Sequence, residues 1–243
     1  MLLPPTSFFF GQENEAQEHA IAELRSLGAR VEVDDTAPGR PVRSVDLADI
    51  YPNDTDLEHL KVFSKLQTLD LGSSEGTTDD GLERLQGLTS LRTLSLLATR
   101  ITDDGLKYLK GMRDLRTLSL KWVKINGAGL AHLKGLTNLQ SLDLAFTGVS
   151  DGGLGNLAGL TSLRTLDLES TDITDEGLVR RDRVRRVRRD SRRRDRPKGQ
   201  CSQTCFTQQV AEKPVLTRDC FLRNLLAIRG LRTLSLRSRM ALN

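Results

Sequence analysis

Residues 91–114 read LRTLSLLATRITDDGLKYLKGMRD, and residues 115–138 read LRTLSLKWVKINGAGLAHLKGLTN. The two align without a gap. The frame continues as LQSLDLAFTGVSDGGLGNLAGLTS (139–162) and LRTLDLESTDITDEGL (163–178). Upstream, LQTLDLGSSEGTTDDGLERLQGLTS (66–90) fits with one extra loop residue, and VRSVDLADIYPNDTDLEHLKVFSK (42–65) fits more loosely. A period of 24 residues therefore runs over 42–178 as five full units and a truncated sixth. Self-similarity at this period marks a stacked repeat architecture.

Each unit can be read physically. In LxxLxL the apolar residues at the fourth and sixth positions alternate, as in a short strand facing a core. A Thr or Ser then precedes an acidic or Gly turn, as in Thr102-Asp103-Asp104. Thr102, Ser150 and Thr174 are expected N-caps, whose hydroxyls accept the free N–H groups of a first helical turn. GLxxLxxL places Leu106, Leu109 and Met112 on one helical face, and Gly111, Gly135 and Gly159 stand where a short helix ends. One unit cannot fold alone. Its six or so inward side chains contribute about 1.5–3 kcal/mol each, whereas ordering each of its residues costs about 1–2 kcal/mol. Stacking merges the Leu columns and makes up the difference. The expected object is an α/β solenoid, a curved parallel sheet with short outer helices.

These residues resemble the leucine-rich repeat. The pattern T-x-[IV]-[TS]-D-x-G-L-x-x-L-x-G-L is similar to the 24-residue repeats of planctomycete proteins and to the cysteine-containing type of F-box adaptors. The Asn or Cys position of other subtypes is filled by Thr99, Thr147 and Thr171, while Val123 departs from it and should leave a gap in a buried hydroxyl ladder. The resemblance implies a non-catalytic protein-interaction module with no cofactor. By subtype it also implies substrate recognition in a ubiquitin-ligase-like complex, although no F-box-like helical segment is read before the repeats.

The flanks divide the rest of the chain. Residues 1–12 read as a disordered or remnant leader. In 13–41, EAQEHAIAELRSLGARVEV puts Ala16, Ala20, Leu24 and Leu27 on one helical face, stops at Gly28, and offers Val31 and Val33 as a strand. That is the N-terminal cap a solenoid needs. After the repeats come an Arg-rich irregular segment (179–215) and a possible C-terminal cap or degenerate repeat (216–243).

Composition sets further bounds. Aromatics are 4% of the chain, so the core must be built of Leu and Val. Arg180–Lys198 holds eleven Arg and one Lys against three Asp, a net +9; the chain total is +4, so the other 224 residues carry −5. A mildly acidic body thus bears a basic insert. Cys201, Cys205 and Cys220 all follow that insert and give no disulfide framework. No segment has the roughly 18 apolar residues of a membrane span. MLLPPTSFFFGQ lacks a basic n-region and is broken by Pro4-Pro5, so as written the chain reads as cytoplasmic, and as exported if a signal peptide lies upstream.

Binding specificity should reside on the outward strand positions. The third position of each unit reads Ser44, Thr68, Thr93, Thr117, Ser141, Thr165, and the fifth Asp46, Asp70, Ser95, Ser119, Asp143, Asp167. These columns are small and acidic, and the Asp residues read as solvated strand positions. The next two columns place Leu97, Lys121, Trp122 and Phe146 on adjacent strands. Trp122, the single Trp, falls where Asp49, Ser73, Ala98 and Ser170 fall in other units. Aromatic anchors favour interface centres, so these four residues are the candidate protein-binding patch; the competing reading has Trp122 cover the core edge beside Val123.

Enzymatic signals are weak. His19, His59 and His132 are scattered, the last two on a helix column expected to face solvent. No Ser, His and Asp suggest a triad. Asp151-Gly152-Gly153-Leu154-Gly155 looks like a phosphate loop but lacks the Lys, and Cys201-x3-Cys205 with Cys220 is a poor zinc pattern. No catalytic or metal site is expected.

The block RRDRVRRVRRDSRRRDRPKG (180–199) stands outside the period, because Asp190 and Arg192 fall on the core Leu positions. Three readings stand side by side. The block is a nucleic-acid or acidic-partner binder through Arg185, Arg186, Arg188, Arg189, Arg192, Arg193 and Arg194, although no interleaved aromatic offers base stacking. Or it is a solvated linker. Or residues 179–229 come from a shifted reading frame, since GLRTLSLRS (230–238) returns to consensus 68 residues after Leu163 rather than at a multiple of 24.

Overall fold

The computed structural model describes residues 6–174 and 233–235. Each LxxLxL segment forms a short strand: β2 Val42–Asp46, β3 Thr68–Asp70, β4 Thr93–Ser95, β5 Thr117–Ser119, β6 Ser141–Asp143 and β7 Thr165–Asp167. They pair in parallel and in register, so Ser44, Thr68, Thr93, Thr117, Ser141 and Thr165 lie side by side across the sheet. The Leu and Val of the first, fourth and sixth positions are buried throughout, from Val42, Val45 and Leu47 to Leu163, Leu166 and Leu168. One continuous core joins these columns along the solenoid.

Opposite the sheet, the expected α-helices are mostly 3-10 turns. Residues 56–62, 105–111, 129–135 and 155–159 wind this way, and only α2 Asp79–Arg84 and α3 Asp151–Leu154 are α-helical there. The spacing of the buried residues suits this winding. A 3-10 helix eclipses side chains three apart, and Leu106, Leu109 and Met112 recur at three, all fully buried. Over so short a run an α-helical turn buries the same stripe, as Leu82, Leu85 and Leu88 show at α2.

At the amino end, α1 Thr6–Ser26 packs against the 56–62 turn, and β1 Arg30–Val33 runs antiparallel to β2. The helix begins inside the stretch expected as leader. Its inward face is also rotated from expectation: Ala20, Ile21 and Leu24 are buried, while Ala16 is exposed and Leu27 is 41% exposed. Leu27 sits in the turn after the helix, where Gly28 takes a φ of 99° and turns the chain toward β1.

At the other end, β8 Thr233–Ser235 pairs in parallel with β7, Thr165 beside Thr233 and Asp167 beside Ser235. The returning consensus segment therefore supplies the next strand of the sheet, joined by a connection far longer than one period. The Arg-rich segment, its seven candidate Arg residues, the three Cys and most of the expected C-terminal cap lie outside the described residues. Among the described residues, eight strands follow one another in chain order. This is a leucine-rich-repeat solenoid.

Candidate functional site

The backbone ladder does not stop where the strands end. The sixth-position N–H donates to the next unit's fifth-position carbonyl, as Leu96 does to Ser119 (3.0 Å) and Leu120 to Asp143 (2.9 Å). The eighth-position N–H donates to the next unit's seventh-position carbonyl: Ala98 to Lys121 (2.9 Å), Trp122 to Ala145 (3.0 Å), Phe146 to Glu169 (2.7 Å). At that point the chain also turns off the sheet, and every eighth residue takes a left-handed conformation. Asp49, Ser73, Ala98, Trp122, Phe146 and Ser170 have φ between 53° and 62°. Most members of the column are small or are short polar residues that tolerate this region. Trp and Phe are not, and a bulky side chain there is a strained outlier.

The two rings meet. Trp122 and Phe146 stack with centroids 4.3 Å apart and planes within 6°. The Lys121 ammonium lies 5.5 Å from the Phe146 centroid. Trp122 remains 53% exposed, while Phe146, Lys121 and Leu97 are half-buried. All four sit on the turns just after the strands rather than on the strands themselves. Val123 beside it is buried, at 1% exposure, while about half of Trp122 itself stands in solvent. Val123 leaves no packing gap either. Thr99, Thr147 and Thr171 each donate their hydroxyl to a carbonyl of their own unit (Leu96, Leu144 and Leu168), so no ladder runs between units for Val123 to break.

The acidic column proves structural rather than simply solvated. Asp46, Asp70, Asp143 and Asp167 are half-buried, and each accepts a hydrogen bond from the N–H two residues on, at 2.9–3.0 Å. These bonds hold the turn that leads into the left-handed residue. Partial burial pushes the Asp143 carboxyl above its usual range; the Ala145 amide and Lys121 oppose this, and the Asp167 carboxylate on the next strand adds to it.

A second acidic column staples unit to unit. The Asp79 carboxylate accepts from the Thr102 amide (2.8 Å) and hydroxyl (2.6 Å). Asp54 does the same for Thr78, and Asp151 for Thr174. Asp103 accepts from the amides of Asn126, Gly127 and Gly129. Gly127 interrupts this column. The expected cap Ser150 makes no capping bond, and its amide reaches only the Asn126 carbonyl at 3.4 Å. Thr102 does accept from the Asp104 amide (3.3 Å), but its shorter bonds run back to the preceding unit. Asp151, in the stretch that looks like a phosphate loop, is thus already engaged.

His19 and His59 are not scattered: their rings lie 6.5 Å apart, and His59 and His132 are half-buried rather than solvated. Among the described residues, no group of three or more His, Cys, Asp or Glu side chains converges as a metal site. Among them too, no helix is long and apolar enough to cross a membrane. Sequence reasoning missed the tenth column, where Glu75, Arg100 and Lys124 follow the stacked pair's neighbours; its signal was a run of charges at the repeat period.

The leucine-rich repeat family model matches residues 135–158 and 159–180. No curated protein matches the chain. Among solved structures, internalin C2 from Listeria monocytogenes is similar over 90% of this chain and 92% of its own, at 16% identity and a TM-score of 0.43. The structure of TLR13 in complex with ssRNA13 is similar over 56% of this chain and 20% of its own, at 19% identity and a TM-score of 0.42.

Proposed function

We propose that this chain is a non-catalytic interaction module that captures a protein partner on the sheet side of the solenoid, through Trp122, Phe146, Lys121 and Leu97. One observation carries the reading: a stacked Trp–Phe pair stands half in solvent on a backbone conformation that costs about 1–3 kcal/mol per residue. Ring stacking offsets only about 0.5–1.5 kcal/mol of that. A large ring held about half in solvent on a strained backbone is best explained by contact with something outside the chain. Large aromatics that bring a desolvated anchor are the residues that dominate protein interfaces. The finer subtype, planctomycete-type or cysteine-containing-like, is our reading of the T-x-[IV]-[TS]-D-x-G-L pattern. The Asp–Thr staples and the glycines that accommodate them support it.

The test is capture of a partner by the full chain, with the captured protein then purified and titrated. Trp122→Ala combined with Phe146→Ala is expected to weaken that binding by tenfold or more, equivalent to about 1.4 kcal/mol. Unchanged affinity in a folded double variant overturns the assignment.

A further inference from the structure

The ring stack has one covered end and one open end. Phe146 covers the face of Trp122 toward the fifth unit. Toward the third unit the same column holds only Ala98 and then Ser73, so the aromatic wall drops to a step. An open groove of about 620 Å3 lies there, bounded by Trp122, with Ala98 and buried Ile101 among its lining and Glu75, Arg100 and Lys124 around it. That volume is in the range that admits a ring-sized group.

Its charges are unevenly matched. Arg100 reaches Glu75 at 2.8 Å, but both side chains are about 70% exposed, a pairing that contributes little and leaves Arg100 able to turn elsewhere. Lys124 has no ion-pair partner among the described residues. Lys121 adds a third cation, its ammonium 5.5 Å from the Phe146 ring centroid. A small cluster of cations, offset in part by Glu75, therefore borders an apolar step, whereas the chain outside Arg180–Lys198 carries a net −5.

Building on the interaction reading above, we infer that this groove takes an aromatic side chain of an acidic peptide segment in the partner. The ring continues the stack on the free face of Trp122, and neighbouring carboxylates face Lys124 and Arg100. Offset stacking favours a planar group over an aliphatic one. The cations select acidic flanks over basic ones.

Trp122 is the chain's single Trp, so its emission reports on this groove alone. The probe is the blocked peptide acetyl-Asp-Asp-Phe-Asp-Asp-amide, titrated into the full chain. A saturable change in Trp emission is expected, lost when the peptide's Phe is replaced by Ala or its Asp residues by Lys. Lys124→Ala should weaken it about two- to fivefold. Ala98→Phe should abolish it, because a third ring then fills the step; the column already accommodates Trp and Phe at the same φ. No saturable change at millimolar peptide overturns the inference, as does a short oligothymidylate that binds in the peptide's place. If partner binding needs Trp122 and Phe146 but is indifferent to Ala98→Phe and Lys124→Ala, the groove assignment falls and the interaction reading stands. If binding is indifferent to all four, both fall.

Discussion

Replacing Gly105 by Ala sets two effects of opposite sign against each other. Gly105 opens a short helical turn with no positive φ, so helix propensity alone makes Ala stabilising by about 0.5–1 kcal/mol. Packing says otherwise. A Cβ there would sit 2.0 Å from Asp79 Oδ1, the carboxylate that holds the Thr102 amide and hydroxyl. Displacing it gives up two bonds to a charged group, about 1.5–3 kcal/mol each at full value and less at this exposed site. A net loss of about 2 kcal/mol is expected, or about 4–8 °C in Tm for a chain of this size. The double-mutant cycle with Asp79→Ala isolates the cause. In the Asp79→Ala background the two closest atoms are gone and the next, the residue-79 Cβ, lies 3.2 Å from the added methyl, so Gly105→Ala should cost much less. Gly135→Ala, with no atom within 4 Å of its added Cβ, should be neutral or stabilising by about 0.4–1 kcal/mol. Urea denaturation of the five proteins checks this. Equal cost of Gly105→Ala in both backgrounds, or a gain in the wild type, refutes the staple.

Asp143→Asn keeps the acceptor for the Ala145 amide and removes a charge beside Asp167. The folded carboxyl holds its proton more tightly than the unfolded one, so its contribution is favourable below the unfolded pKa and is lost as pH rises through the folded one. The variant should therefore be the more stable at neutral pH, with the difference closing in acid; a pH-independent difference in urea midpoint contradicts this. Val123→Thr should change stability by less than about 1 kcal/mol, because its hydroxyl can donate to the Leu120 carbonyl as Thr99 does to Leu96. A thermal melt showing a larger loss refutes that geometry. Truncation after residue 229 removes β8 and bares the β7 edge. It should lower the urea midpoint and promote self-association on gel filtration, and an unchanged midpoint and elution volume would show that β8 contributes nothing.

The sheet was legible because LxxLxL at a fixed period leaves no other register. Leu69, Leu94, Leu118, Leu142 and Leu166 fall on one line because each fourth-position side chain must enter the core. The 3-10 winding was also written in the sequence, in the spacing of three between Leu106, Leu109 and Met112, but a three-apart stripe is also tolerated by a short α-helix. The staples were hidden. Thr102 looks like a local cap, and its real partner is Asp79, one unit earlier. Only stacked units show that Gly105 is Gly because that carboxylate needs the space. Sequence columns put Trp122 and Phe146 side by side. The left-handed turn that raises them and the groove beneath Ala98 depend on the inter-unit hydrogen bonds, which no pattern of residue types displays.

Trp122→Asn separates the two roles open to the stacked pair. Asn tolerates the left-handed backbone that Trp occupies at φ 62° and has no ring to contribute to a core or an interface. The decisive measurement is to take the urea midpoint and the affinity for the captured partner on the same sample of that variant. Stability equal to wild type or higher by up to about 1.5 kcal/mol is expected, because the strain relieved (about 1–3 kcal/mol) outweighs the stacking lost (about 0.5–1.5 kcal/mol), together with a tenfold or greater loss of affinity. A variant destabilised by more than about 2 kcal/mol that still binds at full strength would make Trp122 a lid on the core and contradict the account.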